Sequence, residues 1–213
     1  MFALERQKRI VELLERDGAV WVSKLSQEFS VAEETVRRDL EKLEKQEVLI
    51  RTHGGAVPID ENNVELSLER RKQVNLVAKE MLGRKACEYI VPGDTVFLDA
   101  STTTFYIAKH LKKMNNVTVI TNSIRVVNEL AGVDGIKVIG VGGKVSNNQS
   151  FVGSLTELTI EKHYFANKTF FSSKGVSATQ GILEGNEQEC AIKQKMMKNS
   201  KEIFCLFDKS KLG

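Results

Sequence analysis

The chain is 213 residues long, 28% charged and 41% hydrophobic, with a formal net charge of +3, a length that suits one large domain or one mid-sized domain with a small module. No apolar run approaches the roughly 20 residues that a bilayer span needs. The opening MFALERQKRIVELLERDG mixes charges throughout, so neither a membrane anchor nor a signal peptide is expected and the chain is assigned to the cytoplasm.

Ile10, Leu13 and Leu14 fall at i, i+3 and i+4, which predicts an amphipathic helix ended by Gly18 as its C-terminal cap. AVWV (19–22) reads as a short strand. Ser23 is expected to cap a second helix, with Val22, Leu25 and Phe29 on one side. After a tight SVA turn, Val36, Leu40 and Leu43 predict a third helix, TVRRDLEKL. Helix, strand, helix, turn, helix is the layout of a helix-turn-helix unit. With that apolar stripe inward, Thr35, Arg38 and Lys42 share one outward stripe and Glu34, Arg37 and Glu41 another. An outward arginine on a helix entering the major groove reaches a guanine edge or clamps a phosphate. Taken alone, the helix reads equally well as a solvated surface with Arg38 paired to Asp39.

VLIRTHGGAV (48–57) predicts a strand, a turn on Gly54-Gly55 whose glycines take positive φ, and a return strand: the wing of a winged helix, with Arg51 and His53 beside its tip. Residues 1–57 hold ten Lys/Arg and eleven Asp/Glu, a balance of −1. DNA contact must therefore come from a local patch and not from a general basic field.

The string RIVELLERDGAVWVSKLSQEFSVAEETVRRDLEKLEKQEVLIRTHGGAV resembles, position by position, the N-terminal domain of the DeoR family of bacterial transcriptional repressors. The resemblance implies that Thr35, Arg37 and Arg38 lie on the recognition helix and that Arg51, Thr52, His53, Gly54 and Gly55 form the wing; with Ser23 and the outward Lys42 these are the expected contacts to an operator in double-stranded DNA. Two positions depart from the family pattern. Ala32 stands where a capping Ser is usual, and Gln46-Glu47 where a Gly is common.

PIDENNVELS (58–67) is polar and aperiodic and is taken as the linker. One long helix is then expected, with Val74, Ala78, Met81 or Leu82, Ala86 and Tyr89 or Ile90 buried, ended by Pro92-Gly93. Beyond it apolar strands at 95–99, 117–121, 136–141, 168–173 and 202–208 alternate with helices at 103–111, 124–131, 154–163 and 187–199. The alternation predicts an α/β domain over 68–213 with a mostly parallel sheet. Ligands in such sheets bind beyond the carboxyl ends of strands. There stand Asp99 to Thr104, a run of hydroxyls and amides suited to a phosphate, then Thr121-Asn122-Ser123, Gly142-Gly143, Gly153, Lys174-Gly175 and Asp208 to Lys211. Any one of these loops also reads as an ordinary cap or turn; together they favour a small phosphorylated ligand.

GDTVFLDASTTTFYIAKHL, VTVITNS, VIGVGGKV, SFVGS, FFSSKGVS and FDKSKLG resemble, in order, the effector domain of the same family, related in fold to ribose-phosphate isomerase and glucosamine-phosphate deaminase. This implies a phosphorylated sugar effector with its phosphate at Ser101, Thr102 and Thr103. Its hydroxyls would lie near Asp99, Asn122, Gly143, Lys193, Asp208 and Lys211. Arg71, Asn75 and Lys79, at i, i+4 and i+8, match an R…N…K pattern and are expected to close the site and connect it to the DNA-binding half. Ala100-Ser101 replaces the usual Ser-Gly, and SSKG a more glycine-rich run, so the family's sugar specificity does not transfer. Family chains generally continue past DKSKLG with more sheet, whereas this one stops at Gly213, which points to a truncated chain or a sheet finished differently.

The function expected is sequence-specific repression of a sugar-utilisation operon, by a homo-oligomer that leaves its operator when a phosphorylated sugar binds. The alternative is a sugar-phosphate isomerase or deaminase, with Asp99, Glu187, Glu189 or Asp208 as base; His110 and His163 read as packing or surface residues. A protein-binding winged helix is the third reading. Cys87, Cys190 and Cys205 lie far apart, with no CxxC pair and no His at metal spacing, so reduced thiols are expected and no metal, disulfide or cofactor.

Overall fold

The computed structural model describes residues 2–46, 48–58 and 68–212; the expected linker, apart from Pro58, lies outside them. The chain divides into two compact units, Met1–Arg70 and Arg71–Gly213.

The first unit runs α1 (Ala3–Asp17), β1 (Val20–Trp21), α2 (Val22–Phe29), α3 (Glu33–Lys45), β2 (Leu49–Thr52) and β3 (Gly55–Pro58). Gly18 ends α1 at φ 72°, its N–H donating to Leu14 O. Ile10, Leu13 and Leu14 of α1, Val22, Leu25 and Phe29 of α2, and Val36, Leu40 and Leu43 of α3 form one core. Burial of such side chains stabilises by roughly 1.5–3 kcal/mol each. The strands pair antiparallel in the order β1-β3-β2.

Two local expectations fail here. Ser23 is not a cap: α2 starts two residues earlier than that would give, at Val22, with Trp21 at the N-cap and no side-chain cap bond. The hairpin glycines do not supply positive φ, since neither Gly54 nor Gly55 lies in that region. Gly55 is a glycine for space: a Cβ there would sit 1.9 Å from Val20 O, on the strand that pairs with it.

In the second unit the expected single helix is broken into α4 (Leu68–Gln73), which begins before the unit boundary, and α5 (Leu76–Cys87), with Asn75 left-handed at φ 53° between them. Lys79 closes the break, its Nζ donating to Arg71 O and, at 2.6 Å, to Val74 O. These carbonyls at the end of α4 would otherwise lack partners. The buried face of α5 is Lys79, Gly83 and Ala86, and Met81 is exposed.

There follow β4 (Thr95–Leu98), α6 (Phe105–Leu111), β5 (Val117–Thr121), α7 (Ile124–Leu130), β6 (Ile136–Gly140), β7 (Lys144–Val145), β8 (Phe151–Val152), α8 (Ser154–His163), β9 (Ala166–Phe171), β10 (Gly175–Ser177), β11 (Gly181–Leu183), α9 (Glu187–Lys198) and β12 (Ser200–Cys205). Five strands form a parallel sheet in the order β12-β9-β4-β5-β6. Along β4, Val96 and Leu98 enter one core and Phe97 the other, the period-two alternation of a sheet covered on both faces. The hairpins β7–β8 and β10–β11 were not expected from the sequence. Strands β4, β9 and β12 stop short of their expected ends, which places Asp99, Ser172, Ser173 and Asp208 beyond the sheet. Among the described residues no helix is long and apolar enough to cross a membrane.

Candidate functional site

With Val36, Leu40 and Leu43 in the core, Arg37, Arg38 and Lys42 stand exposed on α3, and Thr35 is half-buried beside them. Arg37 Nη2 donates to Glu33 Oε2 at 2.8 Å, and Arg38 Nε lies 3.6 Å from Glu34 Oε1. On the hairpin, Arg51 Nε lies 3.4 Å from Glu44 Oε2, while its backbone N–H donates to Glu44 Oε1 at 3.0 Å. Exposed pairs of this kind are worth only about 0–1 kcal/mol, so a phosphate or a base edge displaces the carboxylate at little cost. Thr52, His53 and Gly54 are exposed at the hairpin tip, Ser23 is exposed on the first turn of α2, and Gly55 is buried. Arg38 does not pair with Asp39, which is buried and accepts from Arg6.

In the second unit the polar groups gather at the carboxyl edge of the sheet. Asp99, directly after β4, is 1% exposed. Its Oδ1 accepts from Ser101 N at 3.1 Å and Thr104 Oγ1 at 2.6 Å, its Oδ2 from Ser172 N at 3.2 Å, and Lys193 Nζ stands 3.6 Å from Oδ2. Lys193 also binds Glu184, in the loop after β11. Burial acts against the Lys193 charge, but Asp99 and Glu184 outweigh it and hold the ammonium above the ordinary lysine range. Lys211 Nζ donates to Ser172 Oγ at 2.9 Å and Ser173 O at 2.6 Å, and burial pulls its pKa down against the raising effect of Asp208 and Asp99. Asp208 accepts from Ser210 N at 2.9 Å and from Asn75 Nδ2 at 3.2 Å. Burial raises its carboxyl, yet these bonds and Lys211 bring it below its usual value.

The remaining expected residues are placed more variously. Thr102 and Thr103 are buried in the turn before α6, and among the described residues their amides have no protein acceptor. The Ser101 hydroxyl is taken up inside that turn, accepting from Thr104 N at 3.1 Å and bonded to Thr104 Oγ1. Asn122 Nδ2 donates to Phe151 O at 3.1 Å, which orients Oδ1 as a buried acceptor that finds no partner among the described residues. Gly143, at φ 149°, packs where a Cβ would meet Thr156 Oγ1 at 2.0 Å, so its identity follows from packing against α8. Lys79 turns to backbone carbonyls and not to the cluster; burial, with Lys211 nearby, lowers its pKa to about 8. Arg71 Nη2 donates to Asn148 Oδ1 at 2.5 Å, and Asn148 Nδ2 lies 3.5 Å from Glu189 Oε1. The buried Glu189 carboxylate also accepts from Ser150, and the Glu189 backbone N–H donates at 3.0 Å to Oδ1 of Asn186, the N-cap of α9.

Comparison with known proteins accounts for both halves. Residues 6–62 match the family model of the DeoR-like helix-turn-helix domain, and residues 74–213 that of the DeoR C-terminal sensor domain. The chain belongs to the DeoR family. A DeoR-family relative from Bacillus subtilis, named as the uncharacterized HTH-type transcriptional regulator YulB, is 42% identical over 100% of this chain and 82% of its own. Another from Escherichia coli O157:H7, named as a putative aga operon transcriptional repressor, is 33% identical over 98% of this chain and 78% of its own. Among solved structures, ribose 5-phosphate isomerase A from Methanocaldococcus jannaschii is similar at a TM-score of 0.49 and 16% identity, over 65% of this chain and 55% of that one. As a DeoR-family member the chain is a transcriptional regulator with a DNA-binding and a sensor domain, and not an enzyme.

Sequence reasoning missed Glu184, Ser172 and the Arg6–Asp39 pair. Glu184 follows an unforeseen hairpin. Asp39 sits on the helix that carries the arginines, where an acid reads as surface.

Proposed function

We propose that this DeoR-family chain is a cytoplasmic repressor of a sugar-utilisation operon that leaves its operator when a phosphorylated sugar binds the sensor domain. The DNA-binding domain spans 1–57, the linker 58–67 and the sensor domain 68–213. Thr35, Arg37, Arg38 and Lys42 meet base edges and phosphates in the major groove, with Ser23 at the start of α2. Arg51, Thr52, His53 and the Gly54–Gly55 turn touch the backbone beside it. The effector's phosphate lies on the amides and hydroxyls of Thr102 and Thr103 with Ser101. Its hydroxyls meet Asp99, Asn122, Gly143, Lys193, Asp208 and Lys211, and Arg71 and Lys79 secure the helices that close the site. Dimers or tetramers read paired half-sites, as protein symmetry mirrors that of operators.

The observation that carries the effector reading is the buried, oriented Oδ1 of Asn122, which finds no partner among the described residues and follows Thr121, the strand partner of the residue before Asp99. An acceptor left unpaired in a core costs about 1–3 kcal/mol, and a ligand hydroxyl removes that cost. The release depends on the ligand's different affinity for the two states.

An operator titration in the presence of a panel of sugar phosphates tests the reading. At least one that raises the melting temperature is expected to weaken operator binding; undiminished affinity with every stabilising ligand sinks the release mechanism. Arg37→Ala and Arg38→Ala are each expected to cost about 1–3 kcal/mol if the arginine reads a base, or to lower the salt slope by about one if it holds a phosphate. Unchanged operator affinity in both returns them to plain surface.

A further inference from the structure

On α3 the two exposed arginines are followed at once by an acid that is 2% exposed. Asp39 Oδ2 accepts from Arg6 Nε at 2.5 Å, and its Oδ1 from Gln7 Nε2 at 2.9 Å. Both donors are consecutive residues of α1, so a single carboxylate on α3 is gripped from two directions by one turn of another helix. The ionic side chains are 8% and 3% exposed.

The apolar contacts between the helices of this unit resist separation, but hydrophobic burial has no direction. A helix held by it alone tolerates small rotations. Charge-assisted hydrogen bonds to both oxygens of one carboxylate do fix a direction. Successive residues on a helix are about 100° apart, so the bearing of Asp39 sets those of Arg38 and Arg37. A rotation of about 20° moves a side-chain tip about 2 Å on a helix whose radius with side chains is about 5–6 Å. That exceeds the width of the hydrogen-bond window to a base edge.

As a source of stability the pair is a poor choice, since buried ion pairs are often replaced by apolar side chains without loss. We infer that Arg6, Gln7 and Asp39 are positioning residues for DNA recognition, which lock the rotation of α3 so that Arg37 and Arg38 present to base edges. This rests on the DNA-binding reading above.

The test uses the full chain and operator DNA selected by it from a random pool. The double variant Arg6→Met/Asp39→Leu removes both charges together and is expected to melt at or above the parent temperature. Its operator affinity is expected to fall at least tenfold, while affinity for non-operator DNA and its salt dependence stay unchanged, because no DNA-facing cation is lost. Gln7→Leu removes one grip without stranding a charge and is expected to lose operator affinity several-fold with the fold intact; it decides the matter if the double variant does not fold. Parent-like operator affinity in a folded variant, or an equal fall on both DNAs, overturns the inference. If Arg37→Ala/Arg38→Ala itself leaves operator affinity unchanged, the reading of these arginines as operator contacts falls and takes this inference with it; the former results bring down this inference alone.

Discussion

Arg37, Arg38 and Arg51 each rest against a glutamate within their own unit. The arrangement reconciles a local balance of −1 over residues 1–57 with DNA binding. On the proposed reading, the carboxylates neutralise the arginines until a phosphate or guanine edge replaces them, which would lower affinity for arbitrary DNA more than for a matched site. Lys193 presents the same logic in a buried setting. Two carboxylates share its charge, and of these Asp99 is fixed by Ser101, Thr104 and Ser172, whereas Glu184 sits at the end of an exposed hairpin beside Gly185. A phosphorylated ligand in this cluster therefore meets Glu184 as a competitor for the lysine. Glu184→Gln is expected to raise affinity for the most stabilising sugar phosphate about tenfold, which is 1.4 kcal/mol. Calorimetric titration of both proteins checks it, and equal or weaker binding by the variant refutes the competition.

At the scale of elements, the two hairpin glycines have different reasons to be glycine. A Cβ at Gly54 meets nothing within 4 Å, whereas one at Gly55 would collide with the Val20 carbonyl. Gly55→Ala is expected to destabilise the first unit by about 1–3 kcal/mol, as overpacking does, and Gly54→Ala to leave it nearly unchanged. Urea denaturation of the two variants separates them; equal midpoints would show that the β1–β3 contact yields easily. The break between α4 and α5 is another feature held by contacts that the local sequence does not announce. Nothing in the local pattern of residues 68–90 stops a helix at Val74, but Lys79 reaches back to the carbonyls of Arg71 and Val74 and the chain turns at Asn75. The R…N…K spacing, read as one stripe of a straight helix, thus serves three purposes. Arg71 bonds Asn148, Asn75 bonds Asp208, and Lys79 closes the break.

For the whole molecule, the apolar clusters respect the division into two units: one core lies wholly in residues 1–70 and the other two wholly in 71–213. Units with separate cores unfold independently unless their interface is large. Scanning calorimetry is expected to show two transitions, and a sugar phosphate at about 100 times its Kd to stabilise only the one belonging to the sensor unit, by about 2.7 kcal/mol. A single transition would show that the units melt as one, and equal shifts of two that the ligand stabilises both units.

What the sequence by itself determined is what depends on periodicity and on signature. The apolar stripes of α1, α2 and α3, the parallel strands and the family membership follow from spacings that local side chains dictate, because burying one face of an element is a one-dimensional pattern. Only the tertiary structure decided the rest. That Asp39 is a buried anchor and not a surface acid, that Gly55 answers to the Val20 carbonyl, that Gly143 answers to Thr156 and that Lys193 is shared between Asp99 and Glu184 all depend on partners distant along the chain. Charge and small size are visible in a sequence, but their purpose is set by the neighbour that folding brings up, and no local spacing records that neighbour.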